Sequence, residues 1–470
     1  MNSPLLFLPL AFSLAVALVG LACAVFAAVA LRRARAARQS DRAMPPRPPT
    51  LSGAAERGAA PPGCWTLFLK GLLTAGLAAV AVGSLGVWST QVSVGGVSTT
   101  VPEWSDGQAP ELEPVIRKHC AAFIKRGKSI GLAAAVVTPT NATIMTFGHA
   151  SLSSDEPTPA DTMFEIGSIT KTFTGLTLAR QIEQGIVRLD QPIQELLPPG
   201  VELPETARAI TLRQLTSHSS GFPRVADDSS PLPGIRMLLF GGDPYAGYSE
   251  ADLLADVRSV KLESAPGTKA CYSNFGMMLL GYLLAQKADT NYEALVKQQV
   301  CLPLGMKDTT ITLNRAQAPL AAQGYRAVLR CGPLLLALRS DPWFEHNDLG
   351  GAGALRSTAP DMLKYLQANM RPEGQPLEHA LRQSHQVLFK EDEHTSFAMN
   401  WVHTESQRLK QTMIWHNGGT GGFRSFLGFT GDGRFGVVVL SNSSEGVDDL
   451  AVELLRDLAK PPADPKRAAN

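Results

Sequence analysis

Apolar and charged positions are spread unevenly along the 470 residues. No charged side chain interrupts the run from Pro4 to Leu31, and a second run from about Trp65 to Trp88 carries only Lys70, near its start. At 1.5 Å per helical residue, each run is long enough to cross the roughly 30 Å hydrocarbon core of a bilayer, and Lys70 lies close enough to the edge to snorkel. The pattern predicts transmembrane helices at 1–31 and 64–90. A cleaved signal peptide carries positive charge ahead of its apolar core, whereas here the charge follows it. The loop 32–63 holds Arg32, Arg33, Arg35, Arg38, Arg42, Arg47 and Arg57 against Asp41 and Glu56, so the bias of basic loops puts it on the cytoplasmic side. Two crossings then return everything after about residue 90 to the extracytoplasmic side of an integral membrane protein.

Beyond the second run the pattern changes. Residues 91–109, within "STQVSVGGVSTTVPEWSDGQAPE", are rich in Gly, Ser, Thr and Pro and read as a linker. "ELEPVIRKHCAAFIKRG" has apolar residues at helical spacing. "GLAAAVVTP" and "NATIMTFGHA" read as two strands joined by a turn, and "GFRSFLGFTGDGRFGVVVLSNSS" as two more around Gly431-Asp432-Gly433, followed by a helix in "VDDLAVELLRDLA". Strands at both ends enclose a helix-rich, proline-punctuated middle from about 164 to 370. The fold class is therefore α/β in the broad sense (α+β), with a sheet built from both chain ends, an inserted helical lobe, and a site expected in the cleft between them. One domain over 110–460 and a short tail, 461–470, complete the chain.

Composition narrows the function classes. Net charge is +1, and much of the basic excess sits in the 32–63 loop, so nucleic acid is not an expected partner. Cys23 and Cys64 fall in or beside the apolar runs. Cys120, Cys271, Cys301 and Cys331 lack C-x-x-C spacing, which disfavours zinc and leaves disulfide pairing open. No metal or other cofactor is expected, and oligomeric state is open.

Three short stretches carry candidate chemistry. "FEIGSITKTFTG" places Ser168 and Lys171 about one helical turn apart, in the only S-x-x-K of the chain. A serine hydroxyl is a weak nucleophile until a neighbouring base takes its proton, and a lysine in a dry cleft can act as that base. In "PGTKACYSNFGMMLLGYLL", Tyr272 and Asn274 share one side of an extended segment after the Pro266-Gly267 turn; a phenol can shuttle a proton and an amide can hold a substrate carbonyl. In "WHNGGTGGFRSFLGF", the glycines after His416 permit close backbone approach and an exposed N–H.

In this order the three stretches resemble the penicillin-recognising serine hydrolases, specifically class C β-lactamases and related D-Ala-D-Ala peptidases and esterases. "LTSHSSGFP" (215–223), "PLGMKDT" (303–309) and "GGAGALRSTAPDMLKYLQ" (350–367) extend the likeness across about 110–460. The resemblance implies a helical lobe beside a mainly antiparallel sheet lobe, with Ser168 forming an acyl-enzyme and Lys171 and Tyr272 moving protons. It also implies that Asn274, His416 and Gly418 bind substrate and that the backbone N–H groups of Ser168 and Gly419 form an oxyanion hole. The expected substrate is a small peptide, a β-lactam or an ester, and a binding protein without turnover is the remaining alternative. Two departures stand out. His416-Asn417-Gly418 occupies the place of Lys-Thr-Gly, which removes a fixed positive charge, and Thr170 replaces the usual Ser or Ala.

Overall fold

The computed structural model describes residues 92–96, 101–154, 157–225, 242–331, 334–343 and 349–460. The two apolar runs, the arginine-rich loop and the 461–470 tail lie outside them. Among the described residues no helix is long and apolar enough to cross a membrane.

The chain opens with β1 (Val92–Gly96), β2 (Glu103–Ser105), α1 (Glu113–Lys125), β3 (Gly131–Val137) and β4 (Ala142–Gly148). β5 (Phe164–Glu165) leads to α2 (Thr170–Glu183), then α3 (Leu212–Thr216), α4 (Glu250–Ser259), α5 (Asn274–Lys287) and α6 (Tyr292–Val296). After β6 (Tyr325–Cys331), β7 (Leu334–Arg339) and β8 (Arg356–Ser357) come α7 (Ala359–Met370) and α8 (Glu378–Ser384). The chain returns through β9 (Phe389–Lys390), β10 (Thr395–Phe397), β11 (Val402–Ser406), β12 (Gln411–Gly419), β13 (Arg424–Thr430) and β14 (Gly436–Ser441), and α9 (Asp448–Leu458) follows.

Nine strands form one sheet in the order β2-β4-β3-β14-β13-β12-β11-β10-β9, with every neighbouring pair antiparallel. Its centre joins the two ends of the domain, β3 beside β14 with Ala134 opposite Val439. Strand periodicity sends Leu132, Ala134, Val136, Val437 and Val439 to one face, where they pack with Ile116, Cys120 and Phe123 of α1 and Leu450, Leu454 and Leu458 of α9. Ala133, Ala135, Val137, Val438 and Leu440 point the other way, into the large core shared with α2, α5 and α7. Burial on both faces explains why β3 and β14 read as continuous apolar runs rather than alternating ones.

The expected hairpins are present. β3 and β4 meet through a turn in which Thr138 N donates to Asn141 O, and β13 and β14 through Gly433, at φ +67°, whose N–H donates to Thr430 O. The linker reading of 91–109 requires correction, because β1 pairs with β7 and β2 with β4. Val92 and Val94, two apart and β-branched, suit a strand, and Ser93 between them and Gly95-Gly96 after them do not prevent pairing along an available edge.

The three resemblance segments at 215–223, 303–309 and 350–367 have structural work to do. Asp361, fully buried in the first turn of α7, accepts the backbone N–H groups of Lys307, Asp308 and Thr309 and so fastens "PLGMKDT" to that helix. Gly351 lies against α5 so closely that a Cβ would stand 2.6 Å from Met277 O, which lets the 3-10 turn Gly350–Ala352 approach the centre of the helical core.

Candidate active site

Ser168 owes its position to Gly167. At φ +50° this glycine opens a 3-10 turn, Gly167–Ile169, that runs directly into α2, and a Cβ on it would lie 2.5 Å from Gly419 N. β12 thus abuts the turn carrying the nucleophile candidate. Gly418 is equally constrained: a Cβ there would fall 2.0 Å from Ile166 O, which already accepts the Ser425 hydroxyl at 2.8 Å. Gly419 itself is exposed, leaving the strand end open to an approaching ligand.

One turn beyond Ser168, Lys171 is fully buried in α2. Its Nζ lies 3.0 Å from Ser168 Oγ, 2.9 Å from Asn274 Oδ1 and 2.6 Å from Ala352 O. Burial, seconded by the charge of Arg224, lowers the amine's pKa well below the ordinary lysine value. A neutral amine has two hydrogens and one lone pair. Asn274 Oδ1 and Ala352 O can only accept and take both hydrogens, so the lone pair remains for the Ser168 O–H.

Tyr272 lies close enough to Ser168 for the serine hydroxyl to influence its phenol. Burial pushes its phenol up to about 12, against the lowering effect of Ser168 and of Arg224, so the proton stays on Tyr272 near neutral pH. Asn274 opens α5, for which Ser273 is the cap, its hydroxyl accepting from Gly276 N at 2.8 Å. Besides meeting Lys171, Asn274 donates from Nδ2 to Tyr245 Oη at 2.9 Å, so both ends of its amide are engaged.

His416 lies on β12, 3 % exposed, with its ring 6.2 Å from that of Tyr272. Burial, with the nearby Lys171 adding to it, lowers its pKa to about 3, so the ring is neutral over ordinary pH. Nδ1 donates to Asn417 O at 2.6 Å, which makes Nε2 the acceptor, and Nε2 is buried without a partner.

Ser168, Lys171, Tyr272, Asn274, His416, Gly418 and Gly419 are therefore brought together at one place. Sequence reasoning missed four neighbours. Ala352 supplies the carbonyl that orients Lys171. Tyr245 holds Asn274. His218, at the strained φ of +58°, packs its ring 4.5 Å from the Tyr272 ring at a 35° tilt and accepts Ser273 N–H at Nδ1. Arg224 places its guanidinium carbon 5.2 Å from the same ring. His218 lies inside "LTSHSSGFP" and Ala352 inside "GGAGALRSTAPDMLKYLQ", so both were within reach of the sequence; nothing in the pattern singled out Tyr245 or Arg224.

The family model named Beta-lactamase matches residues 116–460, most of the chain. The chain belongs to the β-lactamase family. Among its relatives, the D-alanyl-D-alanine-carboxypeptidase/endopeptidase AmpH of Escherichia coli K12 is 24% identical over 368 residues, covering 73% of this chain and 90% of the relative. A β-lactamase of Pseudomonas fluorescens is 24% identical over 376 residues, 72% of this chain and 95% of that one. The crystal structure of a β-lactamase/D-alanine carboxypeptidase from Yersinia pestis superposes with a TM-score of 0.63 at 23% identity, over 75% of this chain and 99% of the other. At that identity the likeness establishes the β-lactamase fold: a helical lobe on an antiparallel sheet.

Proposed function

We propose that this β-lactamase-family chain is a serine hydrolase that forms an acyl-enzyme at Ser168 on a D-Ala-D-Ala peptide or a β-lactam amide. The observation that carries the reading is the placement of buried Lys171 Nζ 3.0 Å from Ser168 Oγ, with the acceptors Asn274 Oδ1 and Ala352 O at 2.9 and 2.6 Å; in the neutral amine these acceptors take both hydrogens and leave the lone pair for the Ser168 hydroxyl. As Oγ attacks the carbonyl carbon, its proton passes to Nζ. The oxyanion that forms is held by the N–H groups of Ser168 and Gly419, and one such donor contributes roughly 3 kcal/mol to transition-state stabilisation. The proton then reaches the leaving amine through the Tyr272 hydroxyl as the C–N bond breaks. Water attacking the acyl-serine reverses these transfers. The names of the relatives, a carboxypeptidase/endopeptidase and β-lactamases, support amide substrates.

A carboxylesterase of the same fold is the second reading, favoured by the neutral His416 where a lysine would greet a substrate carboxylate. Intact mass of the full-length protein mixed with benzylpenicillin, alongside Ser168→Ala, tests both. An adduct on the wild type alone is expected, persistent for a peptidase and short-lived with drug hydrolysis for a β-lactamase. No adduct and no hydrolysis, with turnover of a p-nitrophenyl ester, would transfer the assignment to the esterase. We further propose that the two apolar runs anchor the hydrolase in a bacterial cytoplasmic membrane with its catalytic domain, 110–460, outside, as the seven arginines of the intervening loop support.

A further inference from the structure

An amide substrate of the proposed kind ends in a carboxylate, and the cleft as built along β12 does not welcome one. His416 is neutral and turns a lone pair, not a proton, toward its unpartnered side, which opposes an anion. Lys171 is enclosed, with its contacts taken by Ser168, Asn274 and Ala352.

Positive charge reaches the site from the loop before the Tyr272 segment. The guanidinium of Arg224 lies over the Tyr272 ring at 5.2 Å, and Lys171 Nζ is 4.9 Å from the same ring's centroid. Arg224 is exposed, and none of the ion pairs among the described residues involves it. Its backbone is nevertheless tied to the site. Its carbonyl accepts Asn274 N–H at 2.8 Å and Phe275 N–H at 3.3 Å, and Pro223 O accepts the Ser273 hydroxyl at 2.6 Å. The turn that positions Tyr272 and Asn274 therefore positions the base of Arg224 too. A planar guanidinium so held, solvent-facing and lacking a carboxylate partner, suits charge-assisted binding of a carboxylate from a bound ligand.

We propose that Arg224 binds the carboxylate of the substrate, supplying from this loop the charge that β12 lacks at His416, and so directs the enzyme to acyl compounds whose leaving group ends in a free carboxylate. The inference rests on the acyl-Ser168 reading above. It excludes a preference for neutral esters.

The test uses the full-length protein and two substrates, an acyl-D-alanyl thioester whose leaving group carries a free carboxylate and its methyl ester. The wild type is expected to favour the acid in kcat/KM. Arg224→Gln should lower the acid-to-ester ratio by about tenfold to a hundredfold, chiefly through KM, the range expected for a charge-assisted contact. Arg224→Lys should restore part of it. Because the result is a ratio measured within each protein, a variant with a smaller folded fraction still reports. A wild-type ratio near one, or a ratio unmoved by Arg224→Gln, overturns the Arg224 inference while leaving acyl-Ser168 intact. Failure of the wild type to turn over either thioester or to acquire an acyl group on Ser168 overturns both.

Discussion

In the proposed mechanism Lys171 concentrates the chemistry of the molecule in one atom. A buried amine that stays neutral is a base only while it remains unprotonated, so kcat/KM for acylation should fall as pH drops through its lowered pKa. Stability carries the same signature with a definite sign. Between the lowered folded value and the ordinary value near 10.4, the unfolded chain binds a proton at this lysine that the folded chain does not, so unfolding free energy rises with pH, by up to about 1.4 kcal/mol per unit from this one group. Lys171→Met should remove that part of the slope along with acylation. Urea unfolding of both proteins between pH 6 and 10 measures it, and equal slopes would mean that Lys171 is charged in the fold. Tyr272, held protonated by burial, is the proton relay in this scheme and the amine is the base.

Elements decide where such residues stand. α5 is apolar all round because it runs through the helical core, from Phe275 to Ala285 without an exposed position. Its first turn therefore carries Asn274 on a support packed on every side. The end of β12 is placed by absence of side chains: Gly418 against Ile166 O and Gly419 against Gly167. Gly418→Ala must push the strand away from the Ser168 turn, and loss of one oxyanion donor corresponds to roughly a hundredfold or more in kcat. The expectation is a drop of that size with a native circular dichroism spectrum, and near wild-type kcat would remove Gly419 from the oxyanion role. The sequence displayed the long, buried elements, since β3, β14, α1 and α9 have clear periods. It concealed β9, β10 and β11, which are two to five residues long, half exposed and mixed in polarity, and β1, whose serine and two glycines resemble a tether. At the site, Ser168, Lys171, Tyr272 and Asn274 were legible because their chemistry needs particular residue types at short spacing. Arg224 and Tyr245 were not, because a cation or a phenol acquires its role only from the fold that aims it.

On the scale of the whole molecule, the domain closes by pairing its two ends, β3 with β14 and α1 with α9 across one face of the sheet. Asp457 of α9 reinforces that closure, accepting from Lys118 Nζ and lying 2.9 Å from His119 Nε2 of α1. Cys120, Cys271 and Cys301 are free thiols, protected by burial rather than by pairing, with Cys120 and Cys301 pushed to higher pKa by desolvation. That property makes the proposed topology measurable. With Cys23, Cys64 and Cys331 replaced by serine, the remaining thiols should react slowly, so a cysteine introduced at exposed Lys287 reports on the catalytic domain and one at Arg42 on the basic loop. In intact cells a membrane-impermeant maleimide should label Lys287→Cys and spare Arg42→Cys until the membrane is opened. The reverse pattern would invert the orientation, and recovery of the protein in the soluble fraction would dismiss the anchor while leaving the Ser168 chemistry untouched. An extracytoplasmic result would also put the Arg224 loop on the side where peptides with free D-amino-acid carboxylates would be met, linking the position of one guanidinium to the placement of the whole chain.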